Sequence, residues 1–553
     1  MRCDTCGTEL RSAARFCDGC GTPAASDPPR TRRAPREYTP RHLAEKILTQ
    51  RSALEGERKQ VTVLFVDVKG SMGLAESVDP ETWHGIINRF FEILAEVIHG
   101  FEGTINQFTG DGVMALFGAP IAHEDHAQRA CYAALRLREE MRFYSEHLKR
   151  TQGLNFSVRM GLNSGPVVVG RIGDDLRMDY TAQGFVVGLA ARMEQLAESG
   201  TIYLTGRTSA LVSGYCRLAD LGEFQIKGVR EAVHVFQLEG EGPMRTRFDT
   251  SLARGLTRFV GRVRERTDLD AALAKLEHGR GGLVGLEGEA GVGKSRLCFE
   301  FTESCRNRGI LVRHARSVAH GRMIPFLPIY ELLRGIFGVS EGDDDNEARR
   351  KIAGSVLLLE PELTDRLPLL FEFLGVGDGE APDPQLDPEA RRRRLIAVVM
   401  RLLRARGRRE PAVYVFEDLH WIDPGSEAFL DAIAEIAEET RTLVLVNFRP
   451  GYRATWMQHS SYTALPLAPL GDDAVEELLD EQLGCDTSTV GLRRAIRVRA
   501  AGIPFFVEEV VYSLLEAGVL ERVGDACVKV RSVKHFEVPD TVNAVVAARI
   551  DRL

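Results

Sequence analysis

The strongest constraint on the fold is the run GLEGEAGVGKSRL, because a glycine-rich turn of this spacing needs a strand before it and a helix after it. Gly288, Gly291 and Gly293 allow backbone N–H groups to surround phosphates at a helix N-terminus. We expect Lys294 to reach the outer phosphates and the Ser295 hydroxyl to ligate one magnesium ion. The run therefore predicts a P-loop domain with a parallel sheet that binds a nucleoside triphosphate.

Two later apolar runs are consistent with the same sheet. PAVYVFEDLHWID predicts a strand ending in Glu417 and Asp418, which are suited to hold the magnesium ion and its attacking water. TLVLVNFRP predicts another strand ending near Arg449. For Arg449, sensing the γ-phosphate and forming a salt bridge are equal alternatives.

A second pair of carboxylates occurs upstream. VTVLFVD is a continuous apolar run that predicts a buried strand with Asp67 at its carboxyl end. GTINQFTGDGVMALFG predicts a hairpin with Asp111 at its tip. Helical patterns alternate with further strands up to about residue 240, which predicts an α/β sandwich with a mixed sheet. Two aspartates beside glycines indicate a divalent-metal site, although turn and capping roles are the commoner explanation.

Residues 58–240 resemble the class III nucleotidyl cyclases through VTVLFVDVKGSM, GDGVMALFG, YTAQGFVVGLAAR and IKG. The resemblance implies a ferredoxin-like α/β domain in which Asp67 and Asp111 hold two Mg²⁺ or Mn²⁺ ions for an in-line displacement. It also implies that Arg192 neutralises charge on the α-phosphate and that Lys227 contacts the outer phosphates. Sites of this family form between two cyclase domains, so one domain per chain implies a homodimer or a partner cyclase chain.

Three positions depart from the family pattern. Gln107 and Thr181 stand where ATP-selecting enzymes have lysine and aspartate, and both side chains can donate and accept, which leaves ATP and GTP open. Gly188 replaces an asparagine on the helical face of Arg192. Loss of one transition-state donor costs about 10²–10³ in rate, so we expect a slow adenylate cyclase. A nucleotide sensor without turnover and a guanylate cyclase are the alternatives.

Residues 255–470 resemble the AAA-like signal-transduction ATPases that follow cyclase domains in many bacterial proteins and in soluble adenylyl cyclase. AGIPFFVEEVVYSLLEAG resembles the family's Gly-Asn-Pro helix start, with Ile503 in place of asparagine, and predicts a helical lid over 471–535. Residues 536–553 resemble the start of a truncated winged-helix-like segment. The resemblance implies an ATP-dependent switch acting on the cyclase domains. An alternative output is an unidentified protein partner.

The amino-terminal segment contains two CxxC pairs. Cys3, Cys6, Cys17 and Cys20 predict a zinc ribbon over 1–25, because four thiolates complete a tetrahedral site for one Zn²⁺. A disulfide or redox pair is the alternative. A basic, proline-rich linker and helix follow over 26–57, and a second linker is expected over 241–254.

Composition excludes some function classes. The net charge of −8 gives no general attraction to nucleic acid, and no apolar run reaches the roughly 18 residues that span a bilayer. With no signal peptide pattern at the start, the sequence predicts a cytoplasmic protein. RRRRLIAVVMRLLRARGRR predicts a solvated helix face capped by Asp387 rather than a nucleic-acid contact, and SEGDDDNEARRK predicts an exposed loop.

Overall fold

The computed structural model describes residues 58–168, 185–317, 325–377 and 387–530, except for the single positions 245, 341, 485 and 525. The chain divides into two compact units, Met1–Glu241 and Gly242–Leu553. The following predictions lie outside the described residues: the four amino-terminal cysteines, the helix before residue 58, Thr181 and the winged-helix-like segment 536–553.

The first unit is built on a seven-stranded mixed sheet of order β2-β3-β1-β4-β5-β7-β6. All neighbouring strands are antiparallel except β4 and β5. The strands are β1 (Arg58–Val68), β2 (Thr104–Phe108), β3 (Gly112–Phe117), β4 (Val158–Val168), β5 (Ile202–Thr205), β6 (Cys216–Phe224) and β7 (Val233–Glu241).

Five described helices cover this sheet: α1 (Ser71–Ser77), α2 (Pro80–Gly100), α3 (His126–Gln152), α4 (Phe185–Leu196) and α5 (Gly206–Leu211). Helix α2 begins at Pro80, because the Asp79 side chain accepts the N–H groups of Glu81 and Thr82 and Pro80 occupies the first turn.

Strand β1 places alternate side chains on two layers. Leu64 and Val66 join the core beneath α2 and α3, whereas Val61 and Val63 pack towards α4. Because side chains alternate along a strand, Asp67 lies on the α4 side of the sheet. This register decides which helix the carboxylate meets.

The second unit contains a five-stranded parallel sheet of order β12-β8-β11-β10-β9. Apolar cores lie on both faces, which is why β10 and β11 read as continuous apolar runs. The strands are β8 (Gly282–Glu287), β9 (Leu311–Arg316), β10 (Ala412–Glu417), β11 (Thr442–Phe448) and β12 (Tyr462–Pro466).

The described helices before residue 470 are α6 (Arg247–Arg254), α7 (Val263–Glu277), α8 (Lys294–Asn307), α9 (Leu327–Phe337), α10 (Asp345–Leu359), α11 (Leu367–Phe373), α12 (Pro388–Arg409) and α13 (Pro424–Ala437). The prediction of a loop for SEGDDDNEARRK is wrong in its second half. Helix α10 begins at Asp345 because the Asp344 side chain accepts the N–H of Glu347 at 2.8 Å.

The arginine-rich helix α12 begins with Asp387 as its cap, as the sequence predicts. Several of its arginines pair with carboxylates of the same unit, including Arg401 with Glu362 at 2.9 Å and Arg406 with Glu410 at 2.9 Å. Arg401 is exposed, as the predicted solvated helix face requires.

After residue 470 the chain forms α14 (Asp472–Leu483), α15 (Val490–Ala500), α16 (Pro504–Glu516) and a hairpin of β13 (Leu520–Val523) and β14 (Ala526–Lys529). The sequence predicted helices here but not the hairpin. Within the described ranges, no helix is long and apolar enough to cross a membrane.

Candidate functional sites

Two carboxylates meet at one edge of the first unit, as the sequence predicts. Asp67 lies near the end of β1, and Asp111 lies in the turn between β2 and β3. Asp67 is the register partner of Gly112, where a Cβ atom would lie 2.5 Å from the carbonyl oxygen of Val66 and 3.0 Å from Oδ1 of Asp67. Glycine is therefore needed for the turn carrying Asp111 to approach Asp67.

The electrostatics of this pair suit a divalent cation. Partial burial raises the pKa of Asp67, and the nearby negative charge of Asp111 raises it further, while Arg159 opposes both effects. Carboxylate oxygens are ligands that Mg²⁺ and Mn²⁺ prefer, and a bound cation would offset the repulsion between the two carboxylates. Among the described residues no group of three or more acidic, histidine or cysteine side chains could hold a metal.

Arg159 and Glu194 complete this cluster, and the sequence analysis missed both. Arg159 on β4 is the register partner of Asp67, and its Nη2 donates to Oδ2 of Asp67 at 3.0 Å. Its Nε forms an ion pair with Oε1 of Glu194 on α4 at 2.5 Å. Burial raises the pKa of Glu194 to about 7, with Arg159 opposing and both aspartates adding to the rise. The available signal was that Arg159 is the one charged residue in β4.

Helix α4 lies against β4 because β4 carries glycine at the contact. A Cβ atom on Gly161 would lie 2.0 Å from the backbone nitrogen of Glu194, and a Cβ on Gly165 would lie 2.7 Å from the side chain of Val186. This close approach places Glu194 above the sheet, within reach of Arg159.

The predicted residues Gly188 and Arg192 lie on the side of α4 that faces away from Arg159. Arg192 is exposed and donates to Oε1 of Gln195 at 2.6 Å, and a Cβ on Gly188 would have no atom within 4 Å. Residues two positions apart in an α-helix are separated by about 200° around its axis. Arg192 therefore points away from the side on which Glu194 meets Arg159. Within one copy of the unit, Arg192 therefore does not face Asp67 and Asp111.

The remaining predicted substrate residues are spread along the sheet. Gln107 is exposed on the edge strand β2, beside an irregularity in its pairing with β3. Lys227 is exposed in the turn between β6 and β7, at the other end of the sheet. The structure brings Asp67 and Asp111 together but separates them from Lys227 and Arg192.

The glycine-rich turn of the second unit adopts the predicted strand–turn–helix arrangement. Gly291 and Gly293 have φ values of 79° and 101°, which side chains rarely tolerate, and α8 begins at Lys294. A Cβ on Gly288 would lie 2.8 Å from Val292. Lys294 is buried, and its Nζ donates to the carbonyl oxygens of Gly288 and Glu289 at 2.7 and 3.0 Å.

The predicted acidic pair lies at the carboxyl edge of the same sheet. Glu417 ends β10, and Nδ1 of His314 donates to its Oε1 at 3.2 Å. Asp418 follows with a left-handed backbone, and its N–H donates to Oδ1 of Asn447 at 2.9 Å. Arg449 follows β11 at this edge and is half-buried.

His314, Asn447 and Arg316 were missed in the sequence. Arg316 lies 3.6 Å from Oε1 of Glu417, and Asn447 also approaches Sγ of Cys298 at 3.5 Å. Parallel strands end at one edge of a sheet, so these side chains lie beside Glu417 and Asp418 although they are distant in sequence.

The predicted start of the lid contacts the glycine-rich turn. The N–H of Phe505 donates to the carbonyl oxygen of Gly291 at 3.3 Å, and a Cβ on Gly291 would lie 3.0 Å from Ile503. Helix α16 therefore begins directly on the proposed phosphate-binding turn.

Comparison with known families agrees with this division. Residues 55–240 match the adenylate and guanylate cyclase catalytic domain. The chain carries a class III cyclase catalytic domain. Residues 258–446 match the AAA ATPase domain, and residues 471–526 match a domain of unknown function. The predicted α/β fold of both large domains is confirmed, with a mixed sheet in the cyclase domain and a parallel sheet in the ATPase domain.

Two bacterial relatives come from Rhizobium meliloti (strain 1021). An uncharacterized protein is 26% identical over 86% of this chain and 46% of its own length. Adenylate cyclase 1 is 33% identical over 33% of this chain and 28% of its own length. This chain therefore spans less than half of either relative.

Solved structures of both nucleotide specificities are similar to the cyclase domain. The adenylyl cyclase CyaB from P. aeruginosa is 32% identical over 34% of this chain and 98% of that chain, with a TM-score of 0.32. The guanylyl cyclase Cya2 is 30% identical over 34% of this chain and 96% of that chain, also with a TM-score of 0.32.

Proposed function

We propose that this protein converts ATP to cyclic AMP and pyrophosphate at sites shared between the cyclase domains of a homodimer. The observation that carries the proposal is the geometry of one unit. Asp67 and Asp111 lie together, whereas Gly188 and Arg192 lie on an exposed helix side that does not face them. A second copy can supply the missing arginine.

In this proposal Asp67 and Asp111 would hold two Mg²⁺ or Mn²⁺ ions, which would supply positive charge to activate the ribose 3′-hydroxyl and to stabilise the departing pyrophosphate. Arg192 of the second copy neutralises charge developing on the α-phosphate. Gln107 and Thr181 contact the purine edge, and Lys227 of the second copy contacts the outer phosphates. The empty position above Gly188 makes the reaction slow.

We infer that the ATPase domain is an ATP-dependent switch for this reaction. Lys294 and Ser295 would hold the phosphates and one Mg²⁺, Glu417 and Asp418 would position the attacking water, and Arg449 would sense the γ-phosphate. The contact of Phe505 with Gly291 supports transmission to residues 471–530, where an unidentified partner could bind. Zinc binding by the four amino-terminal cysteines stays a prediction.

The decisive experiment is product analysis of the purified chain with Mn²⁺ and either ATP or GTP. We expect cyclic AMP from wild type, none from Asp67→Ala or Arg192→Ala alone, and recovered activity when those two variants are mixed. Recovery would arise because a mixed dimer retains one complete site. A mixture without activity, beside an active wild type, would sink the shared-site proposal.

A nucleotide sensor without turnover is the second candidate, and the absent side chain at Gly188 favours it. It predicts Mn²⁺-dependent nucleotide binding that requires Asp67 but gives no cyclic product. Cyclic GTP in place of cyclic AMP would instead identify a guanylate cyclase.

A further inference from the structure

A chain of three charged side chains crosses the cyclase domain from its metal-binding edge to helix α4. Oδ2 of Asp67 accepts from Nη2 of Arg159 at 3.0 Å, and Nε of the same guanidinium lies 2.5 Å from Oε1 of Glu194. The Glu194 side chain is 8% exposed and that of Arg159 is 27% exposed. One planar cation thus connects two carboxylates from separate elements.

This contact fixes the orientation of the Asp67 carboxylate. Oδ2 is engaged by Arg159, while Oδ1 lies beside Gly112, on the side of the turn that carries Asp111. A guanidinium has a rigid fork of donors, so it limits rotation of the carboxylate better than a lysine would. Arg159 therefore directs one oxygen of Asp67 towards the position where a shared cation would be held.

Glu194 is not required to attach α4 to the sheet. The helix already approaches β4 closely at Gly161 and Gly165, and Nδ2 of Asn163 donates to the carbonyl oxygen of Val186 at 2.9 Å. Buried ion pairs contribute little net stability, because desolvation offsets their attraction. The ion pair is better explained by what it does to Arg159.

We propose that Arg159 is a positioning residue for the metal ligand Asp67 and that Glu194 anchors it. This inference rests on the proposed function in one respect, that Asp67 binds the divalent cation. Partners behind metal ligands commonly change metal affinity by about 10–100-fold when they are removed. Loss of either member of the bridge should therefore weaken metal binding.

The first test measures Mn²⁺ binding without turnover. Free Mn²⁺ is followed by electron paramagnetic resonance in the full chain with α,β-methylene ATP, and Lys294→Ala in every variant removes the second nucleotide site. Arg159→Met and Glu194→Gln should each raise the apparent Kd for Mn²⁺ about 10-fold. The matched control is Arg136→Gln, which breaks an exposed arginine–glutamate pair on α3 and should change nothing.

Arg159→Lys covers the case in which Arg159→Met fails to fold. Lysine keeps the positive charge but cannot contact both carboxylates through a planar fork, so Mn²⁺ binding should still weaken. Unchanged Mn²⁺ affinity in a folded Arg159→Met or Arg159→Lys chain would overturn the proposal. This result would leave the cyclase proposal intact, since product formation tests that independently.

The second test uses the mixed dimer of Asp67→Ala and Arg192→Ala chains. Its complete site takes Asp67 from the Arg192→Ala chain. Glu194→Gln in that chain should raise the Mn²⁺ concentration for half-maximal activity about 10-fold, whereas Glu194→Gln in the Asp67→Ala chain should leave it unchanged. Equal effects from both placements would mean a general structural role and would contradict the proposal.

Discussion

At the scale of single residues, Gly188 is the position where the sequence departs most sharply from an efficient cyclase. The residue lies within α4, its φ is not in the left-handed region, and a Cβ would meet open space. A side chain at position 188 would therefore not strain the backbone. The space above Gly188 is on the same exposed side of the helix as Arg192.

Gly188→Asn should raise cyclase turnover about 10-fold, because an amide would be added beside Arg192. The full factor of about 10²–10³ for one donor is not expected, since the neighbouring groups evolved around glycine. The measurement is cyclic AMP formed per minute at saturating Mn²⁺ and ATP, with Gly188→Ala as the control for helix propensity. A slower Gly188→Asn enzyme would show that another group already uses this space.

At the scale of secondary-structure elements, the sequence predicted strands well and their lateral contacts poorly. Continuous apolar runs identified β1 and β10, and Asp387 identified the start of α12. These signals are local. The contact between Asp67 and Arg159 joins residues 92 positions apart and depends on strand register, which no local pattern carries.

The loop predicted around Asp344 is an error of a different kind, because here a local signal was present and was misinterpreted. Acidic residues were read as solvated, although an aspartate is also a good helix cap, and Asp344 is the cap of α10. Within each of the two sites, some residues can be predicted from the sequence and others cannot. The glycine-rich turn and both aspartates follow from motifs, whereas Glu194, His314 and Asn447 become visible only when the sheets assemble.

The last turn of α2 provides a pH prediction. Nδ1 of His99 donates to the carbonyl oxygen of Gly103 at 3.0 Å, Nε2 is shielded from solvent, and burial lowers the pKa of His99 to about 4. The unfolded chain takes up this proton below about pH 6.5, whereas the folded chain does not. The resulting stabilisation is complete above about pH 6.5 and is lost as the pH falls to about 4.

Hydrogen exchange of the α2 amides in the full chain measures this effect. Between pH 7 and pH 4, wild type should lose up to about 3 kcal/mol more local opening free energy than His99→Gln. The exposed His147→Gln variant controls for histidine replacement on α3 and should behave as wild type. Equal pH dependence in wild type and His99→Gln would contradict the assignment.

At the scale of the whole molecule, the two proposed nucleotide sites lie in separate compact units. In the proposed function, acidic side chains of the cyclase domain hold metal, whereas backbone N–H groups and Lys294 of the ATPase domain hold phosphate. Because the ligands differ in kind, mutations should separate the two sites cleanly.

Lys294→Ala should abolish ATP binding at the glycine-rich turn and leave Mn²⁺ binding by the cyclase domain unchanged. Asp67→Ala should do the reverse. Equilibrium dialysis with labelled ATP, combined with Mn²⁺ titration, measures both in the full chain. If Lys294→Ala retained the wild-type number of ATP molecules bound per chain, the P-loop assignment would be wrong.

Helix α4 presents Arg192 on one side and Glu194 on the other, so in a homodimer each copy of α4 would touch both sites. Nucleotide bound to Arg192 in one site would shift α4 and with it Glu194. Through Arg159, this shift would move the metal ligand Asp67 of the other site. Such coupling is reciprocal, so metal loading at one site must alter nucleotide affinity at the other by the same factor. Wild type should therefore bind nucleotide with a Hill coefficient different from one, and Glu194→Gln should return the two sites to independence.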